Sequence, residues 1–441
     1  MARELPVRVV QDPSLGFTRL PHLVTPPDLV VGIDSYGENG ILARMHGPVV
    51  PALSGEHKTF LEATPAQVRS AAARLRRLWK DEFIDVRRLD AEGRPAPGRA
   101  SLPYATRVDL TGEPQDELLD ALTELATYGS QLLFDVLLGG EGEQVKLFRG
   151  LLIEVLRVGA PLRVRFDSDL FVPWPMLCLP PDATDEPGVD GVFRRFLGHR
   201  HQIEQTGGYY AGIADGREQP PPAVPAVSLN HDTGIDVRGR TRAADVAALL
   251  AREGVLAERT TRRELERALR DTTLDEQLMY FWCHGHFQGA EPEPPALVVK
   301  LTDQRPIDAY TVKAHRPDRG ECAPFRPFVL LNACYAGLPG NADLAYLGHA
   351  LIETGARGVL GPQIEMPQVF AAEYALEFLT RYLPGTGTAG EVAHAVARHF
   401  ADELHNPLGF GYALHCGMDA RLPRAEQQAD ADAGEEQETA V

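Results

Sequence analysis

Cysteine is scarce in this sequence. Among 441 residues there are five (Cys178, Cys283, Cys322, Cys334 and Cys416), scattered and with no CxxC pair. That is too few for a disulfide framework, and the odd count leaves a thiol over. The same spacing speaks against a zinc site. Basic residues are also short: Lys+Arg is 44 against Asp+Glu 62, a formal net charge of −18. Such a field repels phosphate backbones, and no basic stripe offsets it, so nucleic acid is not expected as a direct partner. No run of about 18 uncharged apolar residues occurs, so no membrane-crossing helix is expected. The opening MARELPVRVVQDPSLG has no apolar h-region, and no secretory signal is expected. There is no GxxxxGK[ST] loop, and the glycine clusters LLGGEG and GLPGNA do not follow a strand at the required spacing, which weighs against a nucleotide-binding α/β protein. These absences together imply a soluble, cytoplasmic protein in a reducing setting, where a thiol remains available for chemistry. Neither a metal nor a cofactor is called for.

What is present is an ordinary globular balance: 44% hydrophobic and 24% charged residues. A large packed core follows, at a length of about two to four domain-sized units. Residues 1–27 are punctuated by proline and read as a loose lead-in. Residues 28–112 read as an N-terminal α+β region: a hairpin over about 28–46, then a helix with Thr64 as N-cap and Pro65 at its first position. In that helix Val68, Ala71, Leu75 and Leu78 form one apolar stripe. Residues 113–220 hold two helical stretches and the strand LRVRFDS. From 221 to 422 short apolar strands alternate with helices, Thr261 and Glu264 standing at capping-box spacing. This alternation predicts an α/β fold, a mostly parallel sheet with helices on both faces. The acidic tail 423–441 lacks aromatics and is expected to be disordered.

In open α/β sheets, reactive groups collect at the carboxyl ends of strands. Two segments fit. YFWCHGH places His284 after an apolar run with Gly285 next, and LLNACYAG places Cys334 after another, 50 residues later. A thiol at its ordinary pKa is only a few per cent thiolate at neutral pH and needs a base within reach. An imidazole can take that proton and return it to a leaving amine. Small neighbours let backbone N–H groups approach a scissile carbonyl, and the amides of Gly285 and Cys334 are the candidate oxyanion hole. His286 is an alternative base, although it lies two residues farther on and lacks a following glycine. Cys283 points to the opposite face from Trp282 and reads as packing. A metal cluster of Cys283, His286 and Cys334 lacks a fourth ligand.

These motifs resemble the CHAT family, bacterial caspase-like domains of the caspase–separase–gingipain clan. The family block hFxxCHG is matched by MYFWCHG, and LsACxxG by LNACYAG. The block aGaxsVvaslWxV is matched more loosely by TGARGVLGPQIEM, an upstream strand with lPwelL by LRVRFDSDLFVPWPML, and the closing hPxxWaaFxlxG by NPLGFGYALHCG. The blocks fall in the family's order over residues 115–420. The resemblance implies a caspase-like catalytic half at 221–422 behind a pseudo-prodomain half at 113–220, His284 as general base, Cys334 as nucleophile and the Gly285 amide as oxyanion donor. It also implies that Asn332 and the QIE segment read the residue before the scissile bond (P1). There Glu365 stands where caspases use an arginine, and an acid at that place favours Lys or Arg. Two departures are Pro175, where the family has an acid, and Ile364, where it has Trp.

The family implies prokaryotic regulated proteolysis, often in defence or programmed cell death, on a protein substrate. No repeat array precedes the domain, from which a separate activating or sensor protein is expected. The competing expectation is a catalytically silent scaffold of the same fold that binds a partner protein.

Overall fold

The computed structural model describes residues 25–424 except 38, 52–54, 89–91, 95–100, 184, 208–221, 289–295, 317–324, 339–346 and 423. The expected lead-in over residues 1–24, the acidic tail from 425 and Cys322 lie outside the described residues.

The central feature is an 11-stranded sheet. In chain order its strands are β1 (Leu29–Tyr36), β2 (Gly40–His46), β3 (His57–Leu61), β4 (Arg163–Ser168), β5 (Gln202–Gln205), β6 (Ala226–His231), β7 (Val255–Arg259) and β8 (Leu278–Trp282). A small antiparallel sheet follows, made of β9 (His284–Gln288), β10 (Ala296–Lys300) and β11 (Pro306–Ile307). The large sheet resumes with β12 (Phe328–Asn332), β13 (Gly358–Pro362) and β14 (Tyr412–His415). Its spatial order is β3-β2-β1-β4-β5-β14-β13-β12-β8-β6-β7. Pairing is parallel except at β1–β2, β2–β3 and β13–β14.

The fold expected from the alternation of strands and helices is the one observed. β8, β12 and β13 are buried along their whole length, as parallel strands covered on both faces must be. Side chains alternate between the two layers with the strand period of two. Leu278, Tyr280 and Trp282 pack into one cluster with the helices Ala243–Glu253, Gln368–Tyr382 and Ala389–Leu404. Met279, Phe281 and Cys283 pack into the other, with the helices Arg262–Arg270, Ala309–His315 and Leu347–Glu353. Each fully buried Leu or Phe contributes about 1.5–3 kcal/mol of transfer free energy, which fixes the register of these strands.

The strands of residues 28–61 continue the same sheet through the β1–β4 pairing. The helix Pro65–Trp79 starts where its signals place it. The Thr64 hydroxyl accepts from Gln67 N–H, the Gln67 side chain accepts from Thr64 N–H, and Pro65 leads. Its buried stripe is Val68, Ala72, Leu75 and Trp79, so Ala72 and Trp79 take the places expected for Ala71 and Leu78. A five-residue π-turn, Lys80–Ile84, follows without a break, closed by Asp85 N–H donating to the Lys80 carbonyl. It lets Trp79, Phe83 and Ile84 all point inward.

The segment ALVVKL supplies β10 of the small antiparallel sheet, and His284, directly after the apolar run of β8, opens β9 opposite Lys300 of β10.

Candidate active site

β8 and β12 run parallel and in register, with Trp282 opposite Asn332. Cys283 N–H still reaches the Asn332 carbonyl at 3.4 Å, and beyond that point the regular β8–β12 pairing ends. One turns into β9 with His284 first, and the other enters a tight turn closed by Ala336 N–H donating to the Ala333 carbonyl. Cys334 sits inside that turn. Tyr335 after it is held at φ 62°. That left-handed conformation costs a residue with a Cβ roughly 1–2 kcal/mol. Tyr335 N–H donates to the Ile364 carbonyl, and Gly337 N–H to that of Pro362, so the turn is bolted to the end of β13.

Two glycines permit this packing. A Cβ on Gly337 would lie 1.9 Å from the Gly361 carbonyl oxygen, so no side chain fits between the turn and β13. A Cβ on Gly285 would lie 2.1 Å from the Cys334 carbonyl oxygen and 3.2 Å from its nitrogen. The residue after His284 therefore rests backbone to backbone against Cys334. The ring of Phe287, further along β9, meets the ring of Tyr335 at 5.4 Å and adds a second contact between the two segments.

His284 and Cys334 line one small cleft, together with Trp282, Asn332, Met366 and Gln368. His284 is exposed and Cys334 half-buried. The Cys334 thiol donates to the Met366 carbonyl at 3.9 Å, and among the described residues the His284 ring forms no hydrogen bond. Burial pushes the Cys334 thiol above the ordinary cysteine range; Glu365 adds to this, while backbone groups and Lys80 act in the opposite sense. This environment favours the neutral form of the thiol. Cys334 N–H has no backbone acceptor among the described residues. His286 does not line the cleft, and burial, Lys300 and His284 all lower its pKa. Cys283 is buried in the opposite layer, as its position after Trp282 implied.

Asn332 forms the polar floor. Its Oδ1 accepts from the Tyr412 hydroxyl at 2.7 Å, and its Nδ2 donates to the Ala371 carbonyl at 2.7 Å and to the Tyr280 hydroxyl at 3.4 Å. Only 4% exposed and held on three sides, it shapes the cleft from below. Glu365 does not line the cleft itself; it precedes the lining residue Met366, and its carboxylate is paired with Lys80 at 2.7 Å. Lys80, Met366, Gln368, Tyr335 and Phe287 were not singled out from the sequence. Among the described residues no group of three or more His, Cys, Asp or Glu side chains is placed to hold a metal, and no helix is long and apolar enough to cross a membrane.

The architecture is that of an α/β protein, a mostly parallel sheet covered by helices, with His284 just past β8 and Cys334 just past β12. The profile of the CHAT domain matches residues 186–408, just over half of the chain, and the chain belongs to that family. Two crystal structures of the Saccharomyces cerevisiae separase–securin complex resemble it at 11% and 12% identity, with TM-scores of 0.46 and 0.45. Each match covers 88% of this chain and 30% of the separase-complex chain, so this chain spans under a third of that length. Comparison with curated protein sequences finds no match.

Proposed function

We propose that this protein is a cysteine endopeptidase in which Cys334 is the nucleophile and His284 the general base. The observation that carries this reading is the contact of Gly285 with the Cys334 backbone, which ties the imidazole and the thiol to one cleft. With the thiol neutral at rest, the proton leaves as the sulfur attacks. His284 takes the proton from Cys334 Sγ while the C–S bond forms at the substrate carbonyl, and the resulting oxyanion is met by backbone N–H groups of Gly285 and Cys334. His284 then gives the proton to the departing amine, leaving a thioester that water hydrolyses by the reverse route.

The substrate is a protein, and the setting is prokaryotic regulated proteolysis in the cytoplasm, serving defence or cell death. A separate activating or sensor protein switches it on. The turn of the thiol toward Met366 instead of His284 supports latency before activation. It equally supports the second reading, a silent caspase-like scaffold that binds a partner protein.

Treatment with a peptide carrying a thiol-reactive electrophile, followed by mass mapping, separates the two. The peptidase reading expects one adduct, on Cys334, absent in Cys334→Ala. No adduct, or one confined to other cysteines, contradicts it.

A further inference from the structure

Glu365 would by itself set a negative charge near Cys334, yet its charge is already met. Lys80 comes from the N-terminal region, far away in sequence, and reaches Glu365 at 2.7 Å. Its backbone is fixed at the junction of the helix Pro65–Trp79 with the π-turn, between Trp79 and Phe83, both fully buried. The ammonium is therefore not carried on a loose loop. Asp85 lies 3.8 Å from it, so Glu365 is its closer partner. Glu365 precedes Met366, a cleft residue whose carbonyl takes the Cys334 thiol, and the charges of both Glu365 and Lys80 act on that thiol, so the ion pair adjoins the cleft.

We propose that Lys80 is a specificity-determining residue: by neutralising Glu365 it prevents the cleft from selecting a cationic P1 side chain. This rests on the peptidase reading above. It also gives the N-terminal region a part in the site, since Lys80 lies outside the family-matched segment 186–408. Both side chains are partly exposed, Lys80 at 34% and Glu365 at 49%. The effect is therefore that of a screened pair and is modest in size.

The test compares peptide electrophiles that differ only at P1 (Arg, Leu or Asp), measuring the rate of Cys334 labelling. Wild type is expected to show no preference for Arg over Leu. Lys80→Met is expected to raise the Arg-to-Leu ratio about two- to five-fold, the range of an exposed ion pair, and Lys80→Arg to leave it as in wild type. Glu365→Gln, which frees the ammonium, is expected to raise the Asp-to-Leu ratio by a similar factor. The double variant should return both ratios to wild type. Labelling with ratios unchanged across the variants overturns the role of Lys80 and leaves the peptidase reading standing. Absence of Cys334 labelling in wild type and every variant overturns the peptidase reading, and this inference with it.

Discussion

Replacing Gly285 with alanine sets a methyl carbon 2.1 Å from the Cys334 carbonyl oxygen. A close carbon–oxygen contact is roughly 3.3 Å, so the start of β9 and the turn holding Cys334 must part by about 1 Å. The turn cannot give way easily. It is bonded through Tyr335 and Gly337 to the end of β13, and Gly337 is itself in backbone contact with Gly361. Most of the displacement therefore falls on His284. A misplacement of about 1 Å at a reacting group costs about 10²-fold in rate, or about 2.7 kcal/mol of barrier. Overpacking adds about 1–3 kcal/mol of lost stability. The assay is the labelling rate of Cys334 by a peptide electrophile, with thermal melting alongside. Gly159→Ala, where a Cβ meets nothing within 4 Å, is the control. Gly285→Ala that folds and labels at the wild-type rate would refute the reasoning, because the close approach would then do nothing for the chemistry.

Burial raises the Cys334 thiol, so its thiolate fraction at neutral pH is below that of a free cysteine; alkylation by iodoacetamide should be slow at pH 7 and climb above pH 9, and fast labelling at neutral pH would contradict this. His201 is neutral in the fold: its Nδ1 accepts from Leu162 N–H, its Nε2 donates to the Leu156 carbonyl, and burial lowers its pKa to about 4. His394 and His415 are likewise lowered by burial to about 4, and His415 Nε2 donates to the Gly337 carbonyl beside the Cys334 turn. Because these folded-state values lie below the unfolded one, the unfolded chain binds protons first as pH falls. Their stability is complete above about pH 6.5 and lost toward pH 4, on the order of several kcal/mol in all; a melting temperature unchanged between pH 7 and 4.5 would contradict it. Tyr412→Phe leaves Asn332 Oδ1 buried without its hydroxyl donor, and should cost about 1–3 kcal/mol by denaturant unfolding; no loss would mean the floor is not held this way.

The parts of the fold legible in the sequence are those written in local pattern. β8 and β12 are unbroken apolar runs, and the helix starts at Thr64 and Thr261 are capped by their own neighbours. His284 and Cys334 could be singled out as candidates because each follows such a run. β9 could not, since HGHFQ has no apolar alternation and is half open to solvent; its partner β10, not its own sequence, makes it a strand. β5, QIEQ, is polar yet buried because Glu204 is paired with Arg165 on the next strand, a contact with no local signature. The same holds at the site: Lys80 meets Glu365, and Tyr412 meets Asn332, only after the whole sheet has formed.

The proposed chemistry requires His284 and Cys334 to work as a pair, and the dependence of Cys334 labelling on each neighbouring histidine tests this most directly. With one peptide electrophile at pH 7, His284→Ala should lower the rate at least about 10²-fold, the usual worth of a general base, while His286→Ala changes it little. Equal rates in His284→Ala and wild type, or a loss that follows His286 instead, would contradict the pairing.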